Sequence, residues 1–210
     1  MARELAALPP SLGRTRLIGV DGHAGSGKST FAGHLARALA ALPEPPAHGV
    51  EVFHVDEISS HAELFGWAGR LRAEVLEPLA EARDALWRPY DWHAGARGPA
   101  RVLPAASVVL LEGVGAGRRE LRPALAGLVW METARELSWG RGRERDGSAL
   151  SAFWDGWERA ERAHFADDPS RPFADLVVRQ GGAGYEWTRV ADGSPVEGRS
   201  VTRSEGLRDA

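Results

Sequence analysis

Cysteine is absent from the chain. Disulfides and thiolate metal sites are thereby excluded, and cysteine usage says nothing about compartment. Lysine occurs once, as Lys28, and every other basic residue is an arginine. Long hydrophobic runs are missing. The longest uncharged run, Val102 to Leu111, falls far short of the roughly 18 residues that a membrane span needs. Residues 1–16 include Arg3, Glu4, Pro9 and Pro10 and lack the layout of a signal peptide. A cytoplasmic location with no membrane partner is therefore expected. Basic excess is missing too: the net charge is −3, which argues against a nucleic-acid partner. The seven histidines show no metal-ligand spacing such as H-E-x-x-H, so no structural metal is expected.

What is present is ordinary globular material, 210 residues with 43% hydrophobic and 26% charged content. That length suits one domain, with a core over about residues 16–190. Residues 1–15 and about 195–210 are expected to be flexible. The oligomeric state is open between monomer and homodimer.

The chain is organised around Gly22-His-Ala-Gly-Ser-Gly-Lys-Ser29, which fits G-x-x-x-x-G-K-[ST] and is followed by Thr30. Arg16–Asp21 before it reads as a buried strand. Phe31, Leu35, Leu39 and Leu42 after it repeat at helical spacing. Strand, glycine-rich turn and helix form the setting of a phosphate-binding P-loop. Gly22, Gly25 and Gly27 permit unusual dihedrals that turn backbone N–H groups inward. The helix N-terminus adds positive potential. Residues Gly22, His23, Ala24, Gly25, Ser26, Gly27, Lys28, Ser29 and Thr30 are the expected ATP-binding set. Lys28 supplies a compact charge at the β/γ-phosphates, and the Ser29 hydroxyl is a Mg²⁺ ligand. An arginine does not replace an ammonium in a tight cradle, and the single lysine stands where one is needed.

Further strands are expected at Val50–Val55, Ser107–Leu111, Gly127–Met131 and Ala174–Arg179, with Tyr185–Val190 as an optional edge strand. Helices alternate with them: one to about Leu42, a region through Leu71–Leu86 broken at Pro78, a short one at Leu121–Leu125, then Ala134–Arg145 and Ala149–Phe165. This pattern predicts an α/β fold, a P-loop NTPase three-layer sandwich with a central, mostly parallel five-stranded sheet and an arginine-bearing lid helix. Ligands of such sheets bind at the carboxyl ends of strands. Asp21, Asp56 and Glu112 all end strands and should share that edge.

Asp56 is the candidate base for an attacking hydroxyl, with turn or helix capping as its bland alternative. Glu112 ends the most apolar run, where an unpaired carboxylate would be costly. It is the candidate partner of Mg²⁺ or its waters. Arg141 and Arg145 lie four apart on one helix face and could close over transferring phosphates. A solvated basic face, paired with Glu136, Glu144 and Asp146, is the competing reading. Trp87–Gly98 is a Pro/Gly/aromatic stretch without periodicity, where an acceptor could lie. Trp87 and Trp92 could stack on a ring there, although core packing is the commoner fate. Trp154 and Trp157 read as helix-face packing.

Taken together, these segments resemble the uridine kinase-like branch of P-loop kinases. Gly22–Thr30 matches its P-loop, and His54-Val-Asp56 sits where that family has its catalytic Asp. Pro89-Tyr-Asp-Trp92 with Arg97 looks like its P-x-Y-D-F segment and following Arg. Leu111-Glu-Gly-Val114 resembles its E-G-I/V stretch, and Glu132-Thr133 its D-T. Arg141 with Arg145-Asp146 matches part of its lid pattern R-R-x-x-R-D, and Ala174-Asp175 its late A-D strand. The likeness spans about Arg16 to Arg179. It implies ATP and Mg²⁺, with Lys28, Asp56, Arg141 and Arg145 as catalytic residues. Ser29 and Glu112 would serve the metal. Asp56, Tyr90, Trp92, His93 and Arg97 would bind a small-molecule hydroxyl acceptor, a nucleoside being one candidate. The sequence departs from the family in three places. Glu57-Ile-Ser-Ser60 replaces an aromatic ending, Gly95 stands where a base-reading His is found, and Gly142 replaces a second lid Arg. The expected function is an ATP-dependent small-molecule kinase. The alternative is a P-loop ATPase or nucleotide-dependent switch with a protein partner.

Overall fold

The computed structural model describes residues 1–182 and 184–190. The chain starts with a short helix, α1 (Ala2–Ala6), whose Leu5 is buried against the core. Thr15 is also fully buried, its hydroxyl donating to the carbonyl of Ala106 at 2.7 Å. The first fifteen residues are therefore better anchored than their proline-bearing sequence predicts, because apolar contacts at Leu5 and Leu8 tie them down. The predicted tail at 195–210 lies outside the described residues.

β1 (Arg16–Gly22) runs into the P-loop and then α2 (Lys28–Ala40). β2 (Val50–His54) follows. Its continuation, Val55–Glu57, forms one 3₁₀ turn that carries Asp56. α3 (Ala68–Leu71), a π-helical turn at Arg72–Leu76 and α4 (Glu77–Ala80) run end to end. Pro78 has no N–H to give to a regular helical ladder, and the π turn lies directly before it.

Between α4 and the next sheet strand lie two small antiparallel ribbons. β3 (Ala85–Trp87) pairs with β6 (Arg101–Leu103), and β4 (Tyr90–Asp91) pairs with β5 (Ala96–Arg97). The aperiodic Trp87–Gly98 stretch is thus largely a tight hairpin. β7 (Val108–Glu112), β8 (Gly127–Met131), α5 (Arg135–Asp146), α6 (Ser151–Asp167), β9 (Leu176–Gly181) and β10 (Gly184–Arg189) complete the chain. Arg122–Ala124 forms only a 3₁₀ turn where a short helix is expected.

The sheet has six strands in the order β10-β9-β8-β1-β7-β2, all parallel except for the β9–β10 pair. It gains one strand over the expected five, the antiparallel edge strand β10. Both faces are covered, so the fold is the expected three-layer α/β sandwich. Successive residues alternate between the two layers. Val108 and Leu110 face α2 with Phe31, Leu35 and Leu39. Val109 and Leu111 face the α3–α4 layer with Trp67, Leu71 and Leu79. Among the described residues no helix is long and apolar enough to cross a membrane.

Parallel register decides what stands at the functional edge. Glu112 pairs in register with Val20 on one side and with His54 on the other. The ends of β1, β2 and β7 therefore lie side by side.

Candidate active site

The loop after β1 turns sharply at three glycines with positive φ: Gly22 at 151°, Gly25 at 81° and Gly27 at 89°. Gly27 is the N-cap of α2 and provides no side-chain cap, so the first-turn amides of α2 remain available to an anion. Lys28 is 7% exposed, and its ammonium donates to the His23 carbonyl at 2.9 Å. That bond holds the Lys28 side chain back along the loop. The Ser26 hydroxyl is buried and has no partner, an orphan polar atom in the cradle.

A cleft of about 730 Å³ opens over this loop. Ala24, Gly25, Gly27, Lys28, Ser29 and Thr30 line one end of it. Gly22, His23 and Ser26 stand behind the lining. The His23 ring turns away toward α6, where Nδ1 lies 2.7 Å from Glu161 Oε1. Glu161 is fully buried and also accepts the Ala24 N–H (3.1 Å) and the Trp157 indole N–H (2.8 Å). Its burial raises the carboxyl pKa, but bonds from His23 and Ala24 outweigh this and the net shift is downward. Nothing in the linear sequence marks Glu161 as a P-loop partner, because His23 and Ala24 lie 138 and 137 residues away.

Asp56 and Glu112 both line the cleft. Glu112 is 5% exposed, and its Oε2 lies 2.6 Å from His54 Nδ1. That bond, with the Glu112 charge, raises the pKa of His54 despite its partial burial. Asp56 touches the water of the cleft but is crowded by protein. Loss of water and the charge of Glu112 push its carboxyl above the ordinary carboxylate range, while Lys28, His54 and Arg145 pull it back. Asp56 thus lies within electrostatic range of both the P-loop lysine and a lid arginine. Asp21, by contrast, is fully buried and accepts the amides of Gly22, Gly115 and Gly117. It fixes the strand ends and takes no place in the cleft.

α5 forms a roof over the loop. Arg141 and Arg145 line the cleft, and both are exposed. Arg145 grips Asp146 with two bonds, at 2.6 and 3.0 Å, and Asp146 also accepts the Trp154 indole N–H at 3.1 Å. Arg143 ties α5 to α6 through Asp155 and Glu158. The Arg145–Asp146 pair is the one expected of a solvated basic face. Arg135 pairs with Glu136 as a surface face would, while Arg141 and Arg145 face the cleft.

Gly142 is explained by packing. A Cβ there would overlap the Trp154 ring, and a Cβ on Gly25 would overlap the Ser138 carbonyl. The roof sits directly on the P-loop, with glycine on both sides of the contact. Gly142→Arg is expected to lower stability by about 1–3 kcal/mol through overpacking, read as a lower denaturation midpoint. An unchanged midpoint would contradict this packing.

The far wall of the cleft is aromatic. Trp92, His93, His61 and Phe153 line it, with Trp154 and Trp157 deeper. Trp92 donates its indole N–H to the Asp56 carbonyl at 3.0 Å. Trp87 instead packs in the core against Phe53 at 5.1 Å. Tyr90 and Arg97 do not line the cleft. The Arg97 guanidinium donates to the carbonyls of Glu57 (3.0 Å) and Ile58 (2.7 Å), and the Tyr90 hydroxyl lies 2.8 Å from His61 Nδ1. The β4–β5 hairpin therefore braces the turn that bears Asp56. His61 and Phe153 carry no sequence signal of their own, since each reaches the cleft from a separate segment.

These residues suit a nucleoside triphosphate with magnesium. The positive-φ glycines, the uncapped start of α2 and Lys28 fit polyphosphate oxygens. Magnesium takes few protein ligands when phosphates and water supply the rest, which fits the Ser29 hydroxyl with Glu112 nearby. Among the described residues no group of three or more His, Asp or Glu side chains could hold a metal by itself.

No protein-family profile and no curated protein matches the chain. Solved structures do. One, described as a possible uridine kinase from Bacillus stearothermophilus, aligns with a TM-score of 0.61 at 21% identity, over 84% of this chain and 94% of that one. Another, described as a candidate fructose transport system kinase from Silicibacter sp. TM1040, aligns with a TM-score of 0.51 at 21% identity, over 74% and 81%. The chain has the fold of the uridine kinase-like P-loop kinases.

Proposed function

We propose that this protein is a kinase, transferring the γ-phosphoryl group of Mg·ATP to a hydroxyl of a small molecule, with residues 1–210 acting as one kinase domain whose core spans about 16–190. The observation that carries this reading is Asp56. It stands in the same cleft as the P-loop, in electrostatic range of Lys28 and Arg145, and beside an aromatic wall that a nucleotide switch has no need of.

In this reading the loop amides and Lys28 hold the phosphates, and Ser29, with Glu112 through water, holds magnesium, which neutralises phosphate charge when bound. The acceptor oxygen attacks the γ-phosphorus, the bond to the β–γ bridging oxygen breaks and ADP leaves. The hydroxyl proton passes to Asp56. A raised carboxyl pKa makes Asp56 a better proton acceptor than an ordinary carboxylate. Arg141 and Arg145 offer guanidinium groups to the transferring charge, Arg145 by leaving Asp146. Trp92 and His93 meet the acceptor, while Tyr90 and Arg97 act behind them. One structural neighbour is described as a possible uridine kinase and the other as a kinase of a fructose transport system, and a kinase with a hydroxyl acceptor agrees with the first description.

A panel of nucleosides, sugars and other metabolite alcohols tests the reading through ADP release. Release stimulated by at least one alcohol is expected. Hydrolysis indifferent to every acceptor would favour the ATPase or switch. Arg97→Met removes two bonds that hold the Asp56 turn. It is expected to lower kcat about tenfold, as a displaced catalytic group does, with the KM for ATP little changed. A rise in the ATP KM alone would argue against the bracing role.

A further inference from the structure

We infer that Glu161 of α6 is a positioning residue for Lys28, acting through the peptide group that joins His23 to Ala24. The inference rests on the kinase reading only for its effect on turnover; the link itself stands on the bonds.

That peptide group is bonded at both ends. Its N–H, on Ala24, donates to Glu161 Oε2 at 3.1 Å, and its carbonyl, on His23, accepts from the Lys28 ammonium at 2.9 Å. The same carbonyl accepts the Ser26 N–H at 3.0 Å. Among the described residues no peptide bond is cis. In a trans peptide the N–H and C=O point to opposite sides, so a carboxylate and an ammonium stand at the two ends of one dipole. Each charge polarises the group toward the other, and bonds joined in this way strengthen one another.

The plane of this peptide sets where the Lys28 ammonium rests, and Glu161 holds that plane twice. Besides the Ala24 bond, its Oε1 lies 2.7 Å from His23 Nδ1. A carboxylate only accepts, so Nδ1 carries the proton. The His23 ring is enclosed edge to face by Trp130 at 5.5 Å, Phe165 at 5.3 Å and Trp139 at 6.4 Å. Glu161 is itself fixed by the Trp157 indole N–H at 2.8 Å.

A neutral acceptor would satisfy Ala24 and Trp157 equally well in number, so the charge is more than an anchor needs. Burying it is costly. Burial raises the Glu161 pKa, but the bonds from His23 and Ala24 and the charges of His23 and Lys28 turn the net shift downward. The carboxylate therefore stays ionised behind the loop. It does not line the cleft, so it acts on the phosphates only through Lys28 and the loop.

The single lysine makes the test direct, because protein grown with isotope-labelled lysine carries the label at Lys28 alone. Glu161→Gln removes the charge and keeps the bonds. Two donors face Oε2, while the His23 ring nitrogen, which can accept, faces Oε1, so the amide oxygen takes the first place and its NH₂ the second. In the nucleotide-free protein the NMR signal of the Lys28 ε-methylene is expected to move in Glu161→Gln. It should stay in place in Glu158→Gln, which takes the same charge from the same helix at its salt bridge with Arg143. The link is reciprocal: Lys28→Met should move the Ala24 amide signal upfield as the bond to Glu161 weakens, and this holds whether or not Glu161→Gln folds. On an accepted alcohol, kcat per nucleotide-binding site should fall about three- to tenfold in Glu161→Gln, short of the roughly 10²-fold cost of a 1 Å misplacement. An unmoved Lys28 signal in Glu161→Gln, an equal movement in Glu158→Gln, an unmoved Ala24 amide in Lys28→Met, or unchanged turnover would each overturn the inference. If both signals move but no alcohol is phosphorylated, the kinase reading fails and the link stands.

Discussion

Asparagine at position 56 is expected to reduce acceptor-dependent turnover by about 10²–10⁴-fold, the range of a lost general base, while Mg·ATP binding stays close to normal. Asp56 lies on the 3₁₀ turn after β2, whereas the phosphate cradle follows β1, so its loss leaves the loop intact. Steady-state rates with a nucleotide titration check both halves. The wild-type rate should rise with pH through the Asp56 pKa, because the base acts deprotonated. That acid limb should lie above the ordinary carboxylate range, given the crowding and the Glu112 charge, and should vanish in the variant. Stability is expected to move the other way. A carboxyl with a raised folded pKa holds its proton more tightly folded than unfolded. Rising pH therefore weakens the fold between the unfolded and folded values, and the penalty is complete above them. At neutral pH the asparagine variant should melt no lower than wild type.

Lys28→Arg is expected to lose nearly as much as Lys28→Met, about 10²–10³-fold in kcat/KM, the range for removing one donor to a developing charge. The side chain is 7% exposed and packed along the loop, its Nζ bonded to the His23 carbonyl. A planar guanidinium has neither the size nor the shape of that ammonium. The comparison of the two variants, with Mg·ATP affinity measured for each, decides it. Near-normal kinetics in Lys28→Arg would show that charge alone suffices and would undo the argument from the single lysine.

Much of this was legible in the sequence because it is local. The P-loop is a contiguous motif with its strand and helix on either side. Asp56 and Glu112 follow apolar runs whose ends have to meet at one edge of a parallel sheet. Gly142 departs from the lid motif in the sequence, and the structure gives the reason: the Trp154 ring stands where its Cβ would lie. What could not be read is contact between distant segments. His61, Phe153 and Trp92 converge from a loop, a helix and a hairpin. Arg97 was expected to touch the acceptor, yet its donors are directed to backbone carbonyls at Glu57 and Ile58. Spacing shows that an arginine is near a site, but not which way its guanidinium turns. The buried Glu161 clamp on the P-loop is invisible for the same reason.

The most direct measurement of the central claim is mass spectrometry of the acceptor panel after incubation with Mg·ATP, for the wild type and for Asp56→Asn in parallel. The account predicts an alcohol that gains one phosphoryl group with the wild type, one ADP appearing per product, and almost no product with the variant. ATP consumed with no phosphorylated alcohol, or the same yield from both proteins, would contradict it.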